Sequence, residues 1–304
     1  KQGHIVRCGS RRPEQQLSSH ANQQWVEADV TKPETLATAF EGCDTLIYLV
    51  HQMRASGGDL IERERQSAEN VTKCAQQAGL SHIVYLGGPT PQGNASKHLE
   101  ARTITGEILR NSPIPATELK AGMIVGHGSE SWLIVRDLVA RLPYMVLPAW
   151  LKTKSAPIDI DDVIFALTFC ATHEPKGSMS YQLPGPEILS GEQILTRVGA
   201  VLGWQPRVIN FPYLTPRLSS HWIRLVTRAD MRIATELVEG LTSDLLMSEP
   251  TLWDAIDFTS VTPFDTAVRK ALAAEGPHEL SPMYRLWEKS VRSLAPALNY
   301  RFST

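Results

Sequence analysis

The chain has 304 residues, 42% hydrophobic and 20% charged, the composition of an ordinary soluble globular protein and not of a disordered, collagen-like or disulfide-stapled one. Lys plus Arg number 30 against 32 Asp plus Glu, a formal net charge of −2, so there is no bulk positive field to hold a nucleic acid. Cys8, Cys43, Cys74 and Cys170 stand far apart with no CxxC or mixed Cys/His spacing; neither a metal site nor a disulfide framework is expected, and a reducing, cytoplasmic setting fits.

Strands are expected at His4 to Cys8 and Trp25 to Ala28, each followed by polar or turn residues. Thr31-Lys32-Pro33-Glu34 reads as a capping box, with Thr31 at the N-cap, opening a helix that runs to Phe40 and stops at Gly42. Thr45 to Val50 is a nearly unbroken apolar run, which suits a parallel strand buried on both faces. From Asp59 to Ala78 the apolar positions Ile61, Ala68, Val71, Ala75 and Ala78 recur at helical spacing, with Gly79 as the stop. Ile83 to Leu86 predicts a strand, Lys97 to Arg110 a helix, and Ala116 to Val125 one further strand closed by Gly126. This alternation of strands and helices predicts an α/β fold, a doubly wound parallel Rossmann-type sheet.

Beyond it, Ser131 to Leu142 and Asp161 to Cys170 read as helices and Met179 to Leu183 as a strand. Ser190-Gly191-Glu192-Gln193 is a second capping box, starting a helix to Leu202. The stretches Trp222 to Val226 and Met231 to Leu241 are amphipathic and separated by prolines. The expected organisation is a Rossmann-type domain over 1–187, with 127–156 contributing to the substrate side, and a smaller, mostly helical lobe over 188–304. The most apolar tract, Trp132 to Leu151, carries Arg136, Asp137, Arg141 and two prolines, which excludes an inexpensive membrane span.

In an open α/β sheet ligands lie beyond the carboxyl ends of the strands. After the first strand come Gly9-Ser10-Arg11-Arg12, where two guanidiniums suit the 2′-phosphate of NADP or form a solvated basic turn. The second strand ends in Asp29 and Val30; the Asp29 carboxylate can accept from an adenine amino group or serve the following helix. Val50 and His51 close the third strand, and Gly87, Gly88 and Pro89 the fourth, where paired glycines permit close approach of a ligand or make a turn. Tyr48, His127, Tyr213 and Arg217 are candidates for the substrate side, with local hydrogen bonding or core packing as the alternative.

The order of His4-Ile5-Val6-Arg7 with Arg11-Arg12, Ala28-Asp29-Val30-Thr31, Cys43-Asp44 leading into Thr45 to Val50, and Ile83 to Gly88 resembles the atypical short-chain dehydrogenase/reductase superfamily. The likeness is to its extended branch with the NmrA-like and nucleoside-diphosphate-sugar-epimerase-like proteins. It continues through His98 to Leu109, Pro115 to Leu119 and the loop Pro157 to Val163. The resemblance implies a nicotinamide cofactor, NADP with NAD as the alternative, and a small-molecule substrate. Two departures stand beside it. The family's first strand, GxxGxxG turn and first helix belong about 25–30 residues before the second strand, where this chain has Lys1-Gln2-Gly3; the expectation is that the sequence is a piece of a longer product. The family's Tyr-xxx-Lys pair, in which Lys lowers the Tyr pKa for proton exchange, occurs nowhere in the chain, and the matching positions hold His98 and Arg102 at the same i, i+4 spacing. They read as a proton donor with its neighbour, or as a surface pair.

The sequence therefore implies an NADP-preferring oxidoreductase-like protein of unknown substrate. A non-catalytic NADP-binding sensor or assembly subunit is the alternative, with a homodimer or protein partner meeting the helical lobe, and sugar-nucleotide epimerisation or dehydration a further option.

Overall fold

The computed structural model describes residues 3–18, 20–51, 60–90, 96–142, 144–147, 152–203, 207–210 and 250–275. In chain order the elements are β1 (Val6–Ser10), β2 (Gln23–Glu27), α1 (Pro33–Phe40), β3 (Thr45–Tyr48), α2 (Leu60–Gln77), β4 (His82–Gly87), α3 (Lys97–Arg110), β5 (Ala116–Ala121) and β6 (Ile124–Val125). There follow α4 (Glu130–Arg141), β7 (Tyr144–Leu147), β8 (Lys154–Ser155), β9 (Ile158–Asp159), α5 (Ile160–Thr172), β10 (Met179–Leu183), β11 (Leu189–Ser190), α6 (Gly191–Val201), β12 (Arg207–Asn210), α7 (Leu252–Ala255) and α8 (Phe264–Ala274). The chain divides into two compact units, 1–87 with 100–119 and 167–181, and 88–99 with 120–166 and 182–304.

In the first unit β1 and β2 pair in parallel, Cys8 opposite Trp25. The ladder runs as far as Ser10, whose carbonyl accepts from Ala28 N at 2.9 Å, so β1 lies two residues later in the chain than expected. Gly9 has a packing reason: a Cβ there would stand 2.8 Å from that of Ala28. Arg7 donates through Nη1 to the carbonyls of Ala39 and Glu41, a cation on the carboxyl end of α1, where the helix dipole favours it.

A second sheet has the order β10-β5-β4-β3; β3 and β4 are parallel, with Tyr48 opposite Tyr85. The crossover helix α2 buries Ala68, Val71, Cys74 and Ala75, positions that share one face at 3.6 residues per turn. It packs with α1 and with β3 and β4 in one core containing Leu36, Phe40, Tyr48, Val71, Ile83 and Tyr85. Parallel strands joined through helices confirm the Rossmann-type α/β fold.

Three expectations are corrected. The capping box at Thr31 does not form: α1 starts at Pro33 with Lys32 at its N-cap and no side-chain cap bond. The Thr31 hydroxyl and amide both donate to Asp29 Oδ1, at 2.7 and 3.0 Å, which holds the side chain on the upstream aspartate. The strand from Thr45 ends at Tyr48, and Ile47 is 41% exposed, so β3 is not buried on both faces. Among the described residues it is the edge of its sheet, and β1 pairs with β2 alone. The run Ala116 to Val125 breaks into β5 and β6. Ile158 N takes the Met123 carbonyl at 2.9 Å, and Ile124 pairs with Ile158 on β9. Gly126 permits that approach, since its Cβ would meet the Ile160 side chain at 2.4 Å.

In the second unit β7 and β12 are parallel, and β8 and β11 antiparallel. Its core gathers Val125, Trp132, Val139, Leu195, Val198 and Phe264 from β6, α4, α6 and α8. The capping box of α6 forms as expected: Ser190 Oγ accepts from Gln193 N at 3.2 Å and Gln193 Oε1 accepts from Ser190 N at 2.8 Å. The stretches Trp222 to Val226 and Met231 to Leu241 lie outside the described residues.

Candidate functional site

The strand ends were the places to inspect, and the first unit carries three of them. Beyond β1 the exposed Arg11 and Arg12 join Ser10, Gln15 and Gln16 around a concavity of about 680 Å³. The turn is set locally, by Arg12 N donating to Ser10 Oγ at 3.1 Å, which directs the chain into a short 3-10 turn at Pro13–Gln15. Past β2, Asp29 Oδ1 accepts from Thr31 N at 3.0 Å as well as from its hydroxyl. Partial burial works to raise the Asp29 carboxyl, but the two Thr31 bonds and the charges of Arg11 and Lys32 hold it below the usual carboxylate value. Val30 is buried, and its carbonyl accepts from Asn70 Nδ2 of α2 at 2.9 Å.

Past β3, Val50 is exposed and His51 half-buried, its ring edge-on to Tyr85 at 6.1 Å between centroids. Tyr48 is a core residue, 2% exposed and 5.8 Å from the Tyr85 ring. Burial, helped by the Glu64 charge and Tyr85, pushes its hydroxyl above the ordinary tyrosine value. Its ring packs inside, against Tyr85. At the end of β4, Gly87 is buried because of a neighbour: a Cβ would meet Glu118 Oε1 at 2.8 Å.

Glu118 was not singled out in the sequence. It is 2% exposed on β5, pairs with Arg110 Nε at 3.0 Å and accepts from Ser180 Oγ at 3.3 Å. Arg102 is half-buried on α3, and its carbonyl accepts from Tyr85 Oη at 3.4 Å. Burial raises the Tyr85 hydroxyl against the Arg102 charge, which lowers it.

In the second unit, Gly88 is buried and Pro89 half-buried; His98 is half-buried in the first turn of α3, which begins behind Ser96, whose Oγ accepts from Leu99 N at 3.3 Å. One continuous helix carries His98 and Arg102 four residues apart, hence on one face. His127 is exposed, and Ser129 is a helix cap, accepting from Trp132 N at 3.4 Å and donating to the Ile124 carbonyl at 2.8 Å. A second residue that the sequence reading missed lies here: Lys120, buried on β5, with Nζ 3.0 Å from Thr90 Oγ1. Two charges inside one otherwise buried strand, Glu118 and Lys120, were the available signal. Tyr213 and Arg217 lie outside the described residues. Among the described residues no three His, Cys, Asp or Glu side chains group as for a metal ion, and no helix is long and apolar enough to cross a membrane.

Residues 1–137 match the model of an NAD(P)H-binding protein family. The parallel strands crossed by helices give the chain a Rossmann-type α/β fold, with this NAD(P)H-binding segment at its start. Among solved structures, a nucleoside-diphosphate-sugar epimerase from Staphylococcus aureus aligns with a TM-score of 0.69 at 14% identity, covering 86% of this chain and 90% of that one. Triphenylmethane reductase of Citrobacter sp., solved with NADP(H), gives 0.63 at 17% identity over 82% and 84%. The Bordetella bronchiseptica enzyme WbmH, solved with NAD+, gives 0.64 at 11% over 89% and 90%. At these identities the likeness is one of fold. No curated protein matches the sequence.

Proposed function

We propose that the chain is an NADP-preferring oxidoreductase-like protein acting on a small carbonyl or hydroxyl compound. The observation that carries this reading is the pair of exposed guanidiniums, Arg11 and Arg12, opening on the concavity beyond β1. A guanidinium presents a planar fork of donors that suits a phosphate, and two side by side would hold the 2′-phosphate that distinguishes NADP from NAD. Asp29, kept ionised, would accept from the adenine amino group, and Val30, Val50, His51, Gly87, Gly88 and Pro89 would form the floor. Bound NADPH would supply a hydride. His98 would give the substrate oxygen its proton, with Arg102 four residues on along the same helix face. His127, Tyr213 and Arg217 would stand on the substrate side.

The test is a fluorescence titration of NADPH and NADH against the wild type and the Arg11→Ala/Arg12→Ala double variant. The NADPH dissociation constant should rise at least tenfold, about 1.4 kcal/mol, while that of NADH moves less than threefold. Equal loss for both cofactors, or no loss for either, would overturn the NADP preference.

The missing Tyr-xxx-Lys pair favours a second reading, a non-catalytic NADP-binding sensor or assembly subunit. Deuteride transfer from labelled NADPH to a carbonyl compound, lost in His98→Ala, supports the enzyme; tight NADPH binding without turnover across a carbonyl library supports the sensor.

A further inference from the structure

Arg11 and Arg12 open a stretch of chain that has little of its own to hold it. Gln15 and Gln16 line the same concavity, and all four side chains are exposed. They flank a single 3-10 turn at Pro13–Gln15, in which Gln15 N donates to the Arg12 carbonyl at 3.2 Å and Gln16 N to that of Pro13 at 3.0 Å. Two exposed hydrogen bonds do not offset the entropy lost in fixing such a turn. Apolar burial adds little, for Pro13 is only half-buried and Leu17, which ends the segment, is 91% exposed. The tie comes from the sheet. Val26 of β2 packs on the core shared with α1 and α2, so Trp25, one residue earlier, stands on the opposite face of the strand. Its indole Nε1 donates to the Leu17 carbonyl at 3.2 Å, an acceptor suited to a group that can only donate. At the near end Arg12 N donates to Ser10 Oγ at 3.1 Å. The segment is thus held at both ends, by Ser10 on β1 and by Trp25 on β2, with Arg11, Arg12, Gln15 and Gln16 between them.

We propose that Trp25 is a positioning residue for the NADP site: by fixing the Leu17 carbonyl it holds the amide side chains of Gln15 and Gln16 at the concavity, where they add donors to those of Arg11 and Arg12 for the 2′-phosphate. A neutral amide contributes to phosphate binding when it is already in place, because ordering a mobile turn at the moment of binding takes back what the new bond gives. The anchor therefore acts on NADPH, whose extra phosphate meets these donors, and not on NADH, which has no group there. This deepens the oxidoreductase reading and rests on it for the place of the 2′-phosphate. The anchoring of the segment does not depend on it.

The full chain is titrated by calorimetry with NADPH and with NADH, as wild type, as Trp25→Phe, which keeps an aromatic ring on β2 and removes the donor, as Gln15→Ala/Gln16→Ala, and as the combined triple variant. Trp25→Phe should weaken NADPH binding about fivefold, the size expected of one modest hydrogen bond, and NADH binding less than about twofold. In the Gln15→Ala/Gln16→Ala background the same change should have no further effect on NADPH, a coupling that a general loosening of β2 would not produce. Without any cofactor, amide exchange at Gln15 and Gln16 should quicken severalfold in Trp25→Phe while the amides of the β1–β2 ladder keep their rates. Equal loss of affinity for the two cofactors, or a loss that persists undiminished without the glutamines, would overturn the positioning role and leave Trp25 a general support of β2. Unchanged exchange at Gln15 and Gln16 would overturn the anchor itself. If the wild type binds NADH as tightly as NADPH, the NADP reading fails on its own, and the exchange rates still decide the anchor.

Discussion

Glu118 shows how one buried carboxylate dictates its neighbours. Its oxygens occupy the space that a Cβ on Gly106 would take, at 2.2 Å from Oε1, and they crowd the Gly87 position as well. A glycine in the interior of α3 is unfavourable by about 1 kcal/mol against alanine on helix propensity alone, so its presence there reflects packing. Gly106→Ala would push the carboxylate off Arg110, leaving a buried charge poorly paired. We expect a loss of roughly 1–3 kcal/mol in chemical denaturation despite the better helix former. In a Glu118→Ala background the same change should become neutral or stabilising, because the obstructing atoms are gone. Arg136 of α4 is a comparable buried ion, paired with the carboxylates of Asp137 and Glu275, and Glu275 also accepts from Trp132 Nε1 at 2.9 Å.

At the scale of elements, the two capping sequences teach opposite lessons. Ser190 and Gln193 close a reciprocal cap on α6. Ser190→Ala should cost about 1 kcal/mol, read as a lower denaturation midpoint with an unchanged slope; an unshifted midpoint would show that the cap contributes nothing. Thr31 has the same residue type and spacing, yet an aspartate two positions upstream takes its hydroxyl. The strand β3 is a parallel case. Its sequence is apolar throughout, but at the edge of the sheet only Leu46 and Tyr48 face the shared core, while Ile47 points the other way.

For the molecule as a whole, stability should depend on pH through His82. Its ring is 2% exposed, with Nε2 2.9 Å from Thr117 Oγ1. Burial lowers its pKa below 6.5, against a weaker opposite pull from the Cys170 backbone. The folded chain therefore holds His82 neutral while the unfolded chain binds a proton near 6.5. This contribution is fully present above that pH. It is lost as pH falls toward the folded pKa, by at most about 1.4 kcal/mol per pH unit. Urea unfolding between pH 7.5 and 5 should show that slope, reduced in His82→Gln; a flat profile in the wild type would refute it. The carboxyl of Glu187, held low by its Arg197 hydrogen bonds, titrates below 4.5 and leaves this window undisturbed.

Periodicity, composition and turn residues by themselves determined the α/β class, the limits of α3 and β10 and the cap of α6. These follow from interactions within a few residues of chain, which a sequence displays directly. Only the tertiary structure decided that Thr31 serves Asp29, that β5 and β6 are separate strands, that Tyr48 is core, and that Glu118 and Lys120 lie buried. Each depends on which distant groups a side chain meets, Ile158 for the break after β5, Gly106 for Glu118 and Thr90 for Lys120. The energy of a buried charge or an edge strand is set by those neighbours, and no local pattern encodes them.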